Sequence, residues 1–247
     1  MRHTSVLLMA FALLAACSTA PVTGRQQLIL VSDDDLAAQG RVAYQQILSE
    51  KGTAPNSQLN AAVQRVGPRI VAAADVPDWD WRFAVIDDPT PNAFALPGGY
   101  VGVHTGLSQV VQNEDQLAAV IAHEIGHVAA RHHAERVSRE ALVQTGVSTV
   151  AGDSGLADVL AAGATLGLIL PFSREQESEA DAIGLRYMAE AGYDPRAALD
   201  VWRNFARLGG SGGPQFLATH PAPEERLKRL EALLPEAMAI YESRRGS

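Results

Sequence analysis

The chain has 247 residues, a formal net charge of -8 and a single cysteine. An acidic chain without a basic run lacks the charge pattern of a nucleic-acid-binding protein, and it cannot dock on anionic lipid through a basic segment. One cysteine excludes an internal disulfide. The length suits one domain with a sizeable core.

The N-terminus has the pattern of an export signal. Arg2 precedes an apolar run, Val6 to Ala16, that is too short to span a bilayer as a stable anchor. The run ends in Leu14-Ala15-Ala16-Cys17, which resembles the lipobox of bacterial lipoproteins, where a signal peptidase cuts before a lipid-carrying cysteine. An ordinary signal peptide with a chance cysteine is the alternative.

The lipobox implies that Cys17 is lipidated and that the chain is anchored to a membrane. Ser18 follows it, which by resemblance to lipoproteins of Gram-negative bacteria implies sorting to the outer membrane, facing the periplasm. Pro21, Thr23 and Gly24 are typical of a tether. We therefore predict a signal peptide at residues 1–16, a lipidated tether at 17–30 and a single domain at 31–247.

The first part of this domain changes from helical to strand periodicity. Apolar residues recur at helical spacing and then alternate, as in strands. The turn Pro97-Gly98-Gly99 predicts that the last two strands form a hairpin. The expected helices are Leu36–Leu48 and Ser57–Ala74, and the expected strands are Trp79–Ile86, Asn92–Leu96 and Tyr100–His104.

The second part is helical. One helix is expected at Gln116–Val137, and another opens near Ser173 and runs to Ala191, before Gly192. Three short strands among many helices predict an α+β fold that is mostly α. Further helices are expected at Leu142–Val150, Leu156–Leu170, Pro195–Leu208, Glu224–Leu233 and Pro235–Ser243.

The segment Thr145–Leu170 is rich in alanine and glycine and nearly uncharged. Packed helices or a helical hairpin are the favoured interpretation. A mobile lid over a cleft, or a loop that touches a membrane, is the alternative. Its length and the charges of Asp153 and Asp158 make it a poor transmembrane candidate.

The most informative motif is His123-Glu124-Ile125-Gly126-His127. Positions i and i+4 lie on one face of a helix, one turn apart, so two imidazoles at this spacing can hold one zinc ion. The glutamate between them can act as a base on a zinc-bound water. The pattern predicts a catalytic zinc site, which needs a third protein ligand from elsewhere.

Helical periodicity selects Glu177 as that ligand. The buried face of its helix is expected to run through small and aromatic residues, and Glu177 lies one turn before them. Glu175 and Glu179 lie about 200° around the helix from Glu177 and are expected to face solvent. The residues that define the buried face are Ala180, Gly184, Tyr187 and Ala191.

Asp181 lies one turn beyond Glu177. It can accept a hydrogen bond from a ligand histidine and so fix the tautomer of that histidine. The alternative interpretation of the acidic cluster is a solvated helix start, where acidic residues are common. The motif at His123 favours the metal site.

These motifs resemble a known peptidase family. His123-Glu-Ile-Gly-His127-Val-Ala-Ala-Arg131-His132, followed by Ser173-Arg-Glu-Gln-Glu177-Ser-Glu-Ala-Asp181, is similar to the family of the prenyl-protein (CAAX) proteases, the HtpX heat-shock proteases, the mitochondrial Oma-type proteases and the periplasmic lipoproteins LoiP and BepA. The chain ends where BepA continues into helical repeats, so the LoiP type is the closer likeness. Other similar segments are Pro21–Leu28, Asn92–Tyr100, Thr105–Leu107, Thr219–Pro221 and Glu225–Leu227.

The resemblance implies a zincin-like metallopeptidase domain with a small sheet beside the motif helix, spanning residues 31–247. It implies one Zn²⁺ per chain, bound by His123, His127 and Glu177. Glu124 is then the general base and acid that takes a proton from water and passes it to the leaving amine.

Three further expectations follow from the resemblance. Substrate is expected to add as a strand along a sheet edge, for which the candidate is Asn92, Ala93 and Phe94 in the strand Asn92–Leu96. His220 is either a regulatory zinc contact that keeps the enzyme latent or a plain surface or structural histidine. His132 is expected to pack or hydrogen-bond, with Arg131 holding a carboxylate.

The remaining histidines, His133 and His104, are expected to be surface or core residues. We predict a zinc endopeptidase that cleaves misfolded or stalled envelope proteins. A chaperone-like binding module for outer-membrane assembly with a mostly latent site, a zinc hydrolase of non-peptide bonds and a lipoprotein with a vestigial motif are the alternatives. Expected partners are protein or peptide substrates, a membrane reached through the lipid anchor, and the outer-membrane assembly machinery.

Overall fold

A computed structural model describes residues 17–20, 23–151, 172–208, 216, 220 and 224–245. The fold is α+β and mostly α, as predicted, with a small sheet beside a buried central helix. The helices are α1 (Asp33–Lys51), α2 (Gln58–Ala73), α3 (Glu114–Ala129), α4 (His132–Ala151), α5 (Arg174–Glu190), α6 (Ala197–Leu208) and α7 (Glu224–Arg245). The strands are β1 (Cys17–Thr19), β2 (Gln26–Leu28), β3 (Arg82–Ile86), β4 (Ala93–Leu96) and β5 (Tyr100–His104).

The main sheet has the order β3-β5-β4, so β5 is central. Strand β4 is antiparallel to β5 and β3 is parallel to it. The predicted hairpin is confirmed by the antiparallel pairing of β4 and β5. In its turn, Gly98 and Gly99 adopt φ values of 89° and 84°, which few other residues tolerate. The first strand begins at Arg82, three residues later than expected from Trp79.

The predicted continuous helix Gln116–Val137 is wrong. Helix α3 ends at Ala129, and α4 starts at His132. Between them Arg131 adopts a left-handed backbone with φ 56°, which ends an α-helix. The Arg131 side chain pairs with Asp33 at 2.7 Å, so the turn is held by a contact that a helical pattern does not reveal. The break turns His132 back toward α3.

Helix α3 is buried along almost its whole length and packs most extensively on α5. Two glycines permit the close approach. A Cβ on Gly126 would lie 2.9 Å from the carbonyl oxygen of Ala180, and one on Gly184 would lie 3.0 Å from the backbone of His123. The small residues therefore set the distance between the two helices that carry the predicted metal ligands.

The last helix also differs from the prediction. The sequence predicts two helices separated near Pro235, whereas α7 continues from Glu224 to Arg245. Proline removes the hydrogen bond to the carbonyl of residue 231. Both Glu231 and Pro235 are exposed, so water can satisfy that carbonyl and the helix continues.

Within the predicted tether 17–30, the structure describes residues 17–20 and 23–30, which contact the domain. Strands β1 and β2 form an antiparallel hairpin. Gln27 is buried and donates to the carbonyl of Ala130 at 2.6 Å, and the backbone amide of Leu30 donates to Ser138 at 2.7 Å. We refer to residues 17–20 and 23–30 as the N-terminal hairpin. The sequence did not predict that this segment packs on the domain, because strands of three residues are too short to show an alternating pattern.

The Thr145–Leu170 prediction falls largely on residues outside the described ranges, as do the signal peptide at 1–16 and the helix expected at Leu156–Leu170. Within it, α4 continues to Ala151 as one helix that begins at His132. Among the described residues, every helix is too short or too polar to cross a membrane.

Candidate metal centre

Four buried side chains from three parts of the chain meet in the core. His123 and His127 come from α3, Glu177 comes from α5, and His220 lies between α6 and α7. One ligand atom from each lies within 4.8 Å of the others. We call these four residues the metal cluster. Imidazole nitrogens and a carboxylate oxygen are ligands that suit a divalent transition metal.

The spacing of the donor atoms fits a tetrahedral ion. Metal–ligand bonds of about 2.0–2.1 Å in a tetrahedron separate the ligand atoms by about 3.4 Å. His123 Nε2 lies 3.1 Å from His127 Nε2 and 3.4 Å from His220 Nδ1. Glu177 Oε1 lies 3.4 Å from His127 Nε2 and 2.9 Å from His220 Nδ1. The residues present therefore fit a metal of this size.

Local structure explains why Glu177 points inward. Ser173 caps α5 and forms a capping box with Gln176, which fixes the first turn of the helix. Glu177 follows in that turn and is 1% exposed. Its pKa is affected by burial, which raises it, and by contacts with His220 and the two histidines of α3. The contacts outweigh burial and hold the pKa of Glu177 well below its usual range.

His123 is oriented as the sequence predicts for a ligand. Its Nδ1 lies 3.1 Å from Asp181 Oδ1, the contact expected from Asp181 one turn beyond Glu177. Burial and the charge of Arg226 lower the pKa of His123, whereas hydrogen bonds to Asp181 and Glu177 raise it to about 9. A metal ion at Nε2 must therefore displace a proton that the neighbouring carboxylates favour.

Arg226 is a residue of this centre that sequence reasoning did not assign. It is 1% exposed and donates to Glu177 Oε2 and to Asp181 Oδ2, each at 2.7 Å. Its guanidinium stacks 3.4 Å over the ring of Trp202. Helical periodicity offers a signal for it, because Arg226 lies one turn before the buried Leu230. Arg226 contacts Oε2 of Glu177, and Oε1 faces His127 and His220.

His127 is held by His132 and Phe172. Its Nδ1 lies 2.8 Å from His132 Nδ1, and His132 Nε2 lies 3.0 Å from Glu179 Oε2. The ring of Phe172 stacks on His127 with the ring centroids 3.7 Å apart. His132 is completely buried, and burial outweighs its contact with Glu179, so its pKa is lowered.

The prediction that Glu179 faces solvent is wrong. Glu179 is 5% exposed because the N-terminal hairpin covers it, with Thr23 and Arg25 donating to its two oxygens. Burial opposes ionisation of Glu179, but the hydrogen bonds from His132, Thr23 and Arg25 hold its pKa at about 2. Glu175 is exposed, as predicted.

Glu124 differs from every carboxylate around it. It is 2% exposed, and its Oε1 accepts no hydrogen bond from any part of the chain that the structure describes. His220 Nε2 lies 3.4 Å from Glu124 Oε1. Burial raises the pKa of Glu124. A carboxyl group whose pKa is raised toward neutrality is suited to accept a proton and release it again.

The other predicted site residues lie outside the metal cluster. Ala93 and Phe94 begin β4, one of the two outer strands, which packs on α3, and Asn92 directly precedes it. His104 is buried, with its Nδ1 3.2 Å from the carbonyl of Thr90, and His133 is also buried. Both are core residues, which is one of the two places, surface or core, where they were expected. Cys17 begins β1.

Comparisons with known proteins agree with the geometry. The model of peptidase family M48 matches residues 57–234. The mitochondrial metalloendopeptidase OMA1 of Schizosaccharomyces pombe is 38% identical over 229 residues, which covers 90% of this chain and 68% of that protein. Its counterpart in Saccharomyces cerevisiae is 34% identical over 246 residues, which covers 90% of this chain and 70% of that protein.

A bacterial relative matches a smaller share of this chain. The beta-barrel assembly-enhancing protease of Escherichia coli is 34% identical over 196 residues, covering 72% of this chain and 40% of that protein. The predicted resemblance to the Oma-type and BepA-type proteases is confirmed. The closer likeness to LoiP stays a prediction.

Proposed function

We propose that this chain, which belongs to peptidase family M48 and is a metallopeptidase, uses zinc to hydrolyse peptide bonds of misfolded or stalled cell-envelope proteins. The observation that carries the proposal is the metal cluster together with the unpartnered oxygen of Glu124. The names of the relatives support proteolysis, and one of them concerns the assembly of β-barrels.

The residues divide into holding and reacting groups. His123, His127 and Glu177 would hold the zinc ion, which, when bound, polarises the scissile carbonyl and lowers the pKa of water. Glu124 Oε1 accepts the proton of the attacking water and then donates it to the leaving amine. In the structure, His220 Nε2 lies 3.4 Å from this oxygen.

His220 supports a latent resting state. A catalytic zinc site keeps one coordination position open, whereas four protein ligands close it. His220 Nδ1 lies 3.4 Å from His123 Nε2 and 2.9 Å from Glu177 Oε1, at the spacing of a fourth ligand. We infer that His220 occupies the position that water needs and must leave before cleavage.

Strand β4 is the proposed edge for an extended substrate. It is one of the two outer strands of the three-stranded sheet, and it packs on the motif helix α3. A peptide added beside Ala93 and Phe94 would form main-chain hydrogen bonds that require no particular side-chain sequence. This mode suits a protease that must accept many unfolded chains.

The location is proposed from the N-terminal pattern. A lipid on Cys17, at the outer membrane of a Gram-negative bacterium and facing the periplasm, would place the domain among envelope proteins. The closed metal cluster also favours the second candidate, a chaperone-like module for outer-membrane assembly whose protease is mostly latent.

One experiment separates these functions. The chain 17–247 carrying Cys17→Ser is purified, and its zinc content and its cleavage of casein are measured with and without Glu124→Gln and His220→Ala. About one zinc per chain in all forms, slow cleavage that His220→Ala accelerates and Glu124→Gln abolishes, supports a latent protease. Zinc without cleavage in any form supports the binding module, and absence of zinc refutes the centre.

A further inference from the structure

The tautomers around His127 follow from its two contacts. If Nε2 of His127 faces the metal, its proton must lie on Nδ1. That proton is donated to His132 Nδ1, 2.8 Å away. His132 is then an acceptor at Nδ1 and carries its own proton on Nε2, which lies 3.0 Å from Glu179 Oε2. The direction of each hydrogen bond is thus fixed by the metal and ends on a carboxylate.

Glu179, the carboxylate at the end of these hydrogen bonds, is held by residues that precede the first helix. Arg25 donates from Nε to Glu179 Oε2 at 2.8 Å, and Thr23 donates to Glu179 Oε1. The remaining nitrogens of the Arg25 guanidinium donate to both oxygens of Glu135, at 2.9 and 2.7 Å. The N-terminal hairpin therefore places the Arg25 guanidinium and the Thr23 hydroxyl directly against the buried carboxylate of Glu179.

We propose that Glu179 and Arg25 are positioning residues that act through His132 on His127, so that the N-terminal hairpin completes the metal centre. This inference rests on the proposed function only in that zinc occupies the metal cluster. The relay runs from Arg25 to Glu179, to His132 and to His127. It parallels the carboxylate that holds His123 but reaches one residue further, since Glu179 contacts His132, which in turn contacts His127.

Two features separate a relay from simple packing. Glu175 and Glu179 lie one turn apart on the same face of α5, yet only Glu179 is buried and bonded to a histidine. Arg25 also lies outside the residues 57–234 that match the family model. It stands eight positions after Cys17, so the segment next to the predicted lipid anchor contacts the support of a metal ligand.

The test measures zinc affinity by chelator competition on the full mature chain, beside the melting temperature of the metal-free protein. The variants are Glu179→Gln, His132→Phe and Arg25→Gln. Glu135→Gln is the matched control, because it removes the negative charge and one of the two oxygens that accept from Arg25 but leaves the contact of Glu179 with His132 intact. Glu175→Gln is the exposed control on the same helix.

We expect Glu179→Gln and His132→Phe to raise the zinc dissociation constant about 10- to 100-fold, the range for residues that orient a metal ligand. Arg25→Gln should raise it less, and the two controls should leave it within about threefold of the wild type. The melting temperature of the metal-free form should fall similarly in Arg25→Gln and Glu135→Gln, because both loosen the hairpin.

Equal loss of zinc affinity in Glu135→Gln and Glu179→Gln would overturn the relay and leave the hairpin as a structural element only. An unchanged affinity in Glu179→Gln would overturn it too. Tight zinc binding by a wild type that cleaves nothing would count against the proposed function while the ranking of the variants still decides the relay. Absence of zinc binding in the wild type would refute both.

Discussion

The two sides of the metal cluster differ in how completely their polar atoms are satisfied. On the ligand side, Asp181 holds His123, Arg226 holds Glu177, and His132 holds His127. On the opposite side, Glu124 Oε1 accepts no hydrogen bond from any described residue. The fold fixes the groups that must stay in place and leaves unsatisfied the group that must react.

Burial alone does not produce this difference. Glu177 and Glu124 are 1% and 2% exposed, and burial raises the pKa of both. Contacts with histidines reverse the effect at Glu177, whereas the pKa of Glu124 stays raised. The partners of a buried carboxylate therefore decide whether it is a permanent anion or a proton carrier.

The largest expected effect comes from Glu124→Gln on the unsatisfied side. We expect peptide cleavage to fall about 10²- to 10⁴-fold, because the amide cannot accept the proton. The metal-free protein should be as stable as the wild type or more so, since the charge of a buried carboxylate with an oxygen that accepts no hydrogen bond is removed. A fluorogenic peptide assay and thermal melting measure the two effects.

Glu114→Gln, near the start of the same helix, is the control and should retain activity. A large loss of stability in Glu124→Gln would show that the carboxylate is structurally satisfied after all, and the contrast between the two sides would then be lost.

Arg226→Met tests the satisfied side. Its removal leaves Glu177 and Asp181 buried without their cation, so we expect the free energy of unfolding to fall by about 3–5 kcal/mol. Urea unfolding of the metal-free protein measures it. Arg203→Met is the control, because Arg203 pairs with Asp200 at the surface and exposed pairs contribute about 1 kcal/mol or less. Similar losses in both variants would contradict the assignment.

Gly126→Ala perturbs the spacing that brings the two sides together. The added Cβ would lie 2.9 Å from the carbonyl oxygen of Ala180, so α3 and α5 must separate. We expect a loss of about 1–2 kcal/mol after the gain in helix propensity, with weaker zinc binding. Ala61→Ser, one added atom on the exposed face of α2, is the control. Unchanged zinc affinity would show that the helix spacing tolerates the shift.

The smallest expected effect concerns Asp88, a satisfied carboxylate remote from the cluster. Burial opposes its ionisation, but hydrogen bonds from Lys51 and the amide of Thr90 hold its pKa well below the usual range. A lowered folded-state pKa stabilises the protein above the unfolded pKa of about 3.9, and that stability is lost as the pH falls below it. Asp88→Asn should therefore destabilise the protein by about 1 kcal/mol or more at pH 7 and by less at pH 3.

Urea unfolding at the two pH values checks this sign, and the exposed neighbour Asp87→Asn is the control. A destabilisation by Asp88→Asn that is equal at both pH values would mean that Asp88 behaves as an unpaired group, unlike the carboxylates of the ligand side.

Helical periodicity predicted much of the centre because it acts over one or two turns. The spacing of His123 and His127, and the inward face that includes Glu177 and Asp181, need only the geometry of a single helix. The same reasoning placed Glu179 in solvent, because a helix viewed alone has no hairpin packed on its outer face.

The sequence by itself determined the α+β class, the motif helix, the hairpin of β4 and β5 and the family resemblance, since these depend on local propensity, turn chemistry and residue spacing. Only the tertiary structure decided the break at Arg131, the burial of Arg226 and the relay from Arg25 to His127. Each of these joins residues that are distant in the chain, and their energies depend on desolvation and on which charge lies opposite.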